Sequence, residues 1–461
     1  MNKETIISAS DLSTILETAA KRWNVPGAAC AIWHDGSLTK ASSGVLNSET
    51  SLRVQPNSMF QIGSITKVLT ATLVMILRDR GLVDLDEPFQ TYVPDFAVAD
   101  AEATRTITVR QMLNHTNGLA GDFMPDTGMG RDSLERILDR SALLPLCHPV
   151  GGGFSYSNSA YCLVGLLVER LTGKSFDEAM VDLLFAPMGL KDSVITPHFA
   201  VGRSAAMGHV PDPEDPTKMK PVASNFMIAP STAPAGATPM MSVADVIAFA
   251  RMHMDSGVAP NGERILSADA VAEMQKMETV VPVPQRDISH WGLGWFFSAN
   301  TPVTLYGHDG GTIGQYSFLR IHEESNTAII LLTNGGQYND CMFELFEKTL
   351  TPLTGFEHSP PVKAEDQLPK QPERFIGTFE TIATVTRFHI EGDKILRNAT
   401  MTLASQSFPE PETELEYAGG DTFIYRRPGA KYPATVTFMD FDEQGVSHSM
   451  FTGLRMARRV N

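Results

Sequence analysis

A serine and a lysine three residues apart occur at two places near the start of the chain, Ser37 with Lys40 and Ser64 with Lys67. Residues three apart point to opposite faces of a strand but lie side by side on a helix. The first pair follows the turn of a predicted hairpin. The second stands in the stretch "FQIGSITKVLTATLVMILRDRGL", residues 60 to 82, where a loop becomes a long apolar helix. Only Ser64 and Lys67 are therefore expected to bring an amine beside a hydroxyl.

The start of a helix suits a serine nucleophile. Its unpaired N–H groups and the positive end of its dipole favour negative charge on the attacking and carbonyl oxygens. Lys67 can act as the base if burial or a positive neighbour lowers its pKa. This motif alone leaves the alternative open that Ser64 only caps a core helix and that Lys67 is solvated.

A second candidate group is Tyr156-Ser157-Asn158, on a glycine-rich loop before a predicted helix. Loop side chains of this kind can project into a cleft. A tyrosine near a lysine can share a proton with it and pass one to a leaving group. The alternative is a buried Tyr156 with a satisfied hydroxyl and Asn158 as a helix cap.

The third candidate group is His308-Asp309-Gly310-Gly311, between two predicted strands. The glycines allow a substrate backbone to approach closely and leave a backbone N–H free to face an oxyanion. A histidine titrates near neutral pH, so the ionisation of His308 is expected in the pH dependence of the rate. The alternative is a half-buried histidine at the end of a strand.

Together, S-x-x-K, Y-x-N and H-x-G in this order are far more specific than any one of them. The chain resembles the serine β-lactamase and penicillin-binding-protein superfamily, in its class C β-lactamase-like branch. The resemblance covers roughly residues 10 to 350. The stretches that carry it are "VPGAACAIWHDG", "FQIGSITK", "GLVDLDEP", "ITVRQMLNHTNGL", "FSYSNSAYCLVGLLVERLTG" and "GHDGGTIGQYSFL".

The resemblance implies Ser64 as nucleophile, Lys67 as its base and Tyr156 as the proton shuttle to the leaving group. Asn158 would orient Lys67 and a substrate amide. His308 would replace the lysine that usually contacts a substrate carboxylate.

The backbone N–H groups of Ser64 and Gly311 would form the oxyanion hole, with Asp309 and Gly310 beside the substrate. The resemblance makes His115, in "LNHTNGL", structural.

The patterns predict an α+β fold in which helices flank an antiparallel sheet and a mostly helical subdomain is added. A small β-barrel or sandwich follows. We expect a catalytic domain over 1–357, a Pro-rich linker over 358–373 and a small all-β domain over 374–461. This tail resembles the lipocalin-like barrels that are fused to some members of the branch, which implies that the all-β domain is a barrel. The Pro-rich stretch 209–239 is expected to border the cleft.

The predicted last strand carries Arg455. Two readings are open: a solvated or ion-paired edge residue, or a cation that holds a substrate carboxylate in a bidentate pair.

The composition excludes some functions. A net charge of −16 provides no basic footprint for nucleic acid. No apolar run is long enough to span a bilayer, and the N-terminal stretch reads as an amphipathic helix rather than a signal peptide, so a cytoplasmic protein without a membrane partner is expected. Four scattered cysteines are expected to be free thiols. No metal-binding spacing occurs and no cofactor is expected.

The chemistry is better constrained than the substrate. The leading prediction is a serine hydrolase that forms an acyl-enzyme on Ser64 from esters or peptide-like amides, including peptides with D-residues. One alternative is a penicillin-binding-protein-type thioesterase, an acyltransferase that cyclises nonribosomal peptides. Another is a catalytically inactive binding protein. The oligomeric state stays open.

Overall fold

In the computed structural model, the described residues are 7–222, 228–285, 287–299, 302–365, 369–403, 406–426 and 432–460. The helices are α1 Ala9–Arg22, α2 Thr66–Asp79, α3 Ala101–Thr106, α4 Val109–Leu113, α5 Leu138–Ser141, α6 Asn158–Thr172, α7 Phe176–Met180, α8 Ala186–Met188, α9 Val243–Met254, α10 Ala268–Met274 and α11 Tyr338–Thr354.

Fourteen strands precede the last of these helices. They are β1 Gly27–His34, β2 Ser37–Asn47, β3 Leu52–Arg53, β4 Phe60–Gln61, β5 Ser193–Val194, β6 His209–Pro211, β7 Met219–Pro221, β8 Met240–Met241, β9 Thr279–Gln285, β10 Ile288–Trp291, β11 Phe296–Ser298, β12 Leu305–Gly311, β13 Tyr316–His322 and β14 Thr327–Thr333. Nine of them form one antiparallel sheet in the order β3-β2-β1-β14-β13-β12-β11-β10-β9.

This sheet is covered on both faces. In β1, Ala29 and Ala31 pack into the core shared with α2, α6 and α9. Ala28 and Cys30, which alternate with them, pack on the other side against α1 and α11. Because both faces of the sheet are buried, its central strands read as continuous apolar runs.

Helix α2 is the central helix of the larger core. Every residue from Thr66 to Leu77 is buried, which explains why its sequence is apolar on all sides. Lys67 belongs to this helix and has no exposed surface. The interpretation of Lys67 as a solvated residue is therefore wrong.

The C-terminal part is a closed antiparallel barrel of eight strands, which confirms the predicted fold class. Its strands, with one further strand paired at the rim, are β15 Gly377–Glu380, β16 Thr384–Glu391, β17 Lys394–Leu403, β18 Gln406–Pro409, β19 Thr413–Tyr417, β20 Thr422–Tyr425, β21 Ala434–Phe441, β22 Ser447–Thr452 and β23 Arg455–Arg459. Pairing of β16 with β17 and of β15 with β23 closes the ring. Phenylalanines such as Phe375, Phe379 and Phe438 fill it.

Within the described part of the chain, no helix is both long and apolar enough to cross a membrane. The four cysteines are buried free thiols.

Candidate active site

Ser64 lies in a short 3-10 turn, Gly63–Ile65, that leads directly into α2. Neither element has a side-chain cap, so the capping role considered for Ser64 is wrong. The turn is packed tightly against strand β12. Gly63 has a φ of +54°, and a Cβ added there would lie 2.3 Å from the Gly311 nitrogen. A Cβ on Gly236 would in turn lie 2.2 Å from the Gly63 carbonyl oxygen. These glycines let three backbone segments meet at the serine.

We predict that Gly63→Ala destabilises the protein and misplaces Ser64. Gly81 is a matched control, because its φ is +70° but an added Cβ would meet nothing within 4 Å. Gly81→Ala should cost only the left-handed strain, about 1 kcal/mol, whereas Gly63→Ala adds a backbone clash and should cost roughly 2–4 kcal/mol of unfolding free energy. Denaturant unfolding measures both. Equal costs would contradict the packing described here.

Lys67 is buried directly beside the serine. Its Nζ donates to Ser64 Oγ at 3.0 Å and to the Ala235 carbonyl at 2.5 Å. Burial is the main reason why the pKa of Lys67 is lowered to about 7; Cys162 and Asp122 oppose this change and Arg455 adds to it. A large fraction of Lys67 is therefore neutral near pH 7, and it can accept the Ser64 proton.

Tyr156 lies across Lys67, with its ring centroid 4.8 Å from Nζ. Its hydroxyl is buried without a hydrogen-bond partner among the described residues. Burial raises the pKa of Tyr156 well above its ordinary value, although Ser64 acts in the opposite direction. The phenol is therefore protonated at neutral pH. Of the two residues, Lys67 is suited to act as the base and Tyr156 to carry a proton.

His115 holds the backbone around Tyr156. Its carbonyl accepts the Ser155 N–H at 3.1 Å and its Nδ1 accepts the Ser157 N–H at 3.0 Å. The rings of His115 and Tyr156 are 4.4 Å apart. Burial keeps the pKa of His115 well below its usual value, so the ring is neutral.

Asn158 begins α6 and donates to Asp122 Oδ1 at 2.8 Å rather than to Lys67. Asp122 also receives the Arg455 guanidinium, from Nε at 2.5 Å and from Nη2 at 2.9 Å. Burial acts to raise the pKa of Asp122, but Arg455 and Asn158 lower it on balance, so the carboxylate is charged. Asp122 was not identified from the sequence, where it is one acidic residue in a loop without a motif.

His308 faces Tyr156 from β12, with the ring centroids 6.1 Å apart. Its Nδ1 is 2.6 Å from the Asp309 carbonyl, which can only accept, so Nδ1 carries the proton and Nε2 is a free acceptor. Burial, together with the charge of Lys67, lowers the pKa of His308 to about 3. The expectation that His308 titrates near neutral pH is therefore wrong, because a buried imidazole beside a cation stays neutral.

The Asp309 side chain is used elsewhere. It alternates with His308 on the strand and pairs with Arg320, at 2.5 Å, on the opposite face of the sheet. Only its backbone is next to the site. Gly310 packs against the Ile62 carbonyl, where an added Cβ would lie 1.9 Å from the oxygen.

We predict that the ascending limb of kcat/KM against pH lies near pH 7 and reports Lys67, since the base must lose its proton to act. In His308→Gln this limb should stay at the same pH, because His308 is already neutral there. A pH–rate profile with a p-nitrophenyl ester measures it. Loss of the limb in this variant would mean that His308 supplies it.

Among the described residues of the stretch 209–239, those at its far end contact the site. A 3-10 turn, Pro230–Ala235, supplies the carbonyl that binds Lys67, and the Pro234 carbonyl accepts from Thr70 at 2.9 Å. Its first part forms the hairpin of β6 and β7. Residues 223–227 lie outside the described residues.

Comparison with known proteins identifies the family to which most of the chain belongs. A family model described as Beta-lactamase matches residues 13–350. Penicillin-binding protein 4 of Amycolatopsis lactamdurans is 42% identical over 333 residues, which are 72% of this chain and 87% of that protein.

Among solved structures, one aligns with nearly the whole chain, including the C-terminal barrel, and others align with about three quarters of it. SurE aligns over 98% of this chain and 99% of its own with a TM-score of 0.79 and 26% identity. D-amino acid amidase from Ochrobactrum anthropi SV3 aligns over 73% of this chain and 98% of its own, with a TM-score of 0.61 and 25% identity. A class C beta lactamase from Rhodobacter sphaeroides, at 20% identity and a TM-score of 0.58 over 74% of this chain and 99% of its own, shares the fold. Since the family model spans most of the chain and a relative 42% identical covers 72% of it, the protein belongs to the beta-lactamase family of serine hydrolases.

Proposed function

We propose that this protein forms an acyl-enzyme on Ser64 and hydrolyses small esters and peptide-like amides, including those with D-residues. The observation that carries the proposal is the buried pair of Lys67 Nζ and Ser64 Oγ, 3.0 Å apart, with the pKa of Lys67 lowered to about 7. An inactive binding protein would have no need for a buried lysine at this position, because burying its charge costs stability.

In the proposed reaction, Lys67 takes the proton of Ser64 while Oγ attacks the substrate carbonyl. The N–H groups of Ser64 and Gly311 receive the negative charge on the carbonyl oxygen. Tyr156 then gives its hydroxyl proton to the leaving group and regains one from Lys67. In the second step, water attacks the acyl carbonyl and gives a proton to the Tyr156–Lys67 pair. The pair returns a proton to Ser64 Oγ as the acid is released.

The charges around Ser64 favour neutral acyl substrates over a β-lactam carboxylate. His308 is neutral, and the fork of Arg455 is held by Asp122. The neutral Nε2 of His308 is suited instead to accept a hydrogen bond from a substrate or leaving-group N–H. The D-amino acid amidase was solved with L-phenylalanine amide and with D-phenylalanine, and SurE with D-Leu, which supports amino-acid amides and D-residues as the substrate class.

A second candidate is transfer of the acyl group to an amine, as in a thioesterase that cyclises a peptide. It is favoured by the barrel, whose Leu454 and Arg455 contact the backbone and the ring of Tyr156.

The test is a substrate panel with product analysis. We expect release of free acid from p-nitrophenyl esters and from D-phenylalanine amide, and a slower rate with L-phenylalanine amide. A cyclic product from a peptidyl thioester mimic would support the second candidate. Absence of turnover on every substrate, with no labelling by a fluorophosphonate, would contradict both.

A further inference from the structure

The loop that carries Tyr156 is held from two sides by different domains. His115 of the catalytic domain binds the backbone N–H groups of Ser155 and Ser157. The N–H of Tyr156 itself donates to the Leu454 carbonyl of the barrel at 2.9 Å. The three consecutive N–H groups are thus shared between His115 and the barrel.

The barrel reaches this loop with the turn between β22 and β23. Gly453 and Leu454 both have positive φ, +55° and +67°, so the turn is tight and its carbonyl is directed by the backbone. Met456 N–H donates to Ser155 Oγ at 3.2 Å. Apolar side chains of both domains seal the contact, namely Phe154, Trp291, Phe451 and Met456.

Arg455, the next residue after the turn, adds an ion pair between the barrel and Asp122. Its guanidinium lies 5.1 Å from the Tyr156 ring centroid and forks onto Asp122, which also receives the Asn158 amide. Such a bidentate pair fixes orientation as well as distance. The barrel therefore contacts Tyr156 directly at its backbone N–H and over its ring. It also contacts the start of α6 indirectly, through Asp122 and Asn158.

We propose that the β22–β23 turn of the barrel is a positioning element of the active site: Leu454 and Arg455, acting with Asp122, hold Tyr156 in the place from which it transfers protons. The proposal rests on the proposed role of Tyr156 in acyl transfer. It assigns the barrel a part in catalysis without contact between the barrel and the substrate.

The same ion pair bears on Lys67. The titratable and charged groups that face Lys67 lie on two loops, α6, β12 and the barrel. They are His115, Asp122, Tyr156, Tyr161, Cys162, His308 and Arg455, and the Ser64 hydroxyl contacts Lys67 from the turn before α2. Among them, Arg455 lowers the pKa of Lys67 and Asp122 raises it. Removing either one should shift the ascending limb of the pH–rate profile, and the two shifts should have opposite directions.

Arg455→Met keeps an aliphatic side chain and removes the guanidinium group with its two hydrogen bonds to Asp122. With a neutral p-nitrophenyl ester, we expect the limiting kcat above the limb to fall roughly 10²-fold, as for a displaced catalytic group, with KM little changed. The limb should move to higher pH. Arg455→Lys, which keeps the charge but not the fork, should retain more activity.

Asp122→Asn should lower kcat similarly but move the limb to lower pH. The kcat of the double variant should be little lower than that of either single variant, because both substitutions remove the same Arg455–Asp122 ion pair. Arg458→Met is the matched control: it removes the same charge from the same strand, and Arg458 is exposed. It should leave kcat and KM unchanged.

Three results would overturn the proposal: unchanged kcat in Arg455→Met with normal thermal unfolding, a rise of KM confined to carboxylate substrates, or equal effects of Arg458→Met. Fluorophosphonate labelling of the wild type distinguishes failure of the positioning role of the β22–β23 turn from failure of the proposed acyl-enzyme function. Labelling of Ser64 with unaffected turn variants would reject only the positioning role, whereas no labelling would reject the proposed function itself.

Discussion

Ser64→Ala is expected to abolish acyl transfer, with kcat/KM reduced roughly 10³–10⁶-fold, because the variant lacks the hydroxyl that forms the acyl bond. Intact-mass spectrometry after exposure to a fluorophosphonate should show one adduct on the wild type and none on the variant. The fold should persist. Ser64 is not a helix cap, and Lys67 keeps the Ala235 carbonyl as a partner, so the loss should be about 1 kcal/mol of unfolding free energy.

The sequence offers its own control for this experiment. Ser37 has the same spacing to Lys40 as Ser64 has to Lys67, but it lies on strand β2 and is exposed. Ser37→Ala should keep both full activity and the adduct. An adduct on the Ser64→Ala variant, or loss of activity in Ser37→Ala, would contradict the assignment of the nucleophile.

Local patterns predict which candidate residues of one element lie close together, whereas the roles of these residues were taken from the family resemblance. Ser64 and Lys67 follow from helical spacing, and His308 from the end of a strand, because each depends on the backbone conformation of its own segment. The C-terminal β domain was predicted for a similar reason, since strand-length segments separated by turns are a local signal, while the resemblance to lipocalin-like domains implied a barrel rather than a sandwich. The order and pairing of the strands were not predicted, because they depend on contacts between distant segments.

Two features could not be predicted from the sequence. The charge state of His308 is set by burial and by Lys67, which sequence distance does not reveal. The fate of Arg455 depends on Asp122, 333 residues away in sequence, so the choice between an ion pair and a free cation could not be made. The structure assigns it to an ion pair with Asp122, half-buried beside Tyr156 rather than at a fully solvated edge.

The coupling of Lys67 and Tyr156 gives the second large effect. Lys67→Met and Tyr156→Phe should each lower kcat/KM roughly 10²–10⁴-fold, since each group moves the same proton at a different stage. The double variant should lose little more than the worse single one, as for catalytic groups that act as a unit. Steady-state kinetics of the four proteins measures this. Losses that multiply in the double variant would mean that one of the two residues acts only through the fold.

Thermal unfolding of the same proteins provides the control. Because the unfolded chain holds the Lys67 proton more tightly than the folded one between about pH 7 and 10.5, the wild type gains stability as pH rises through this range. Lys67→Met should remove that dependence and unfold at a higher temperature near pH 7.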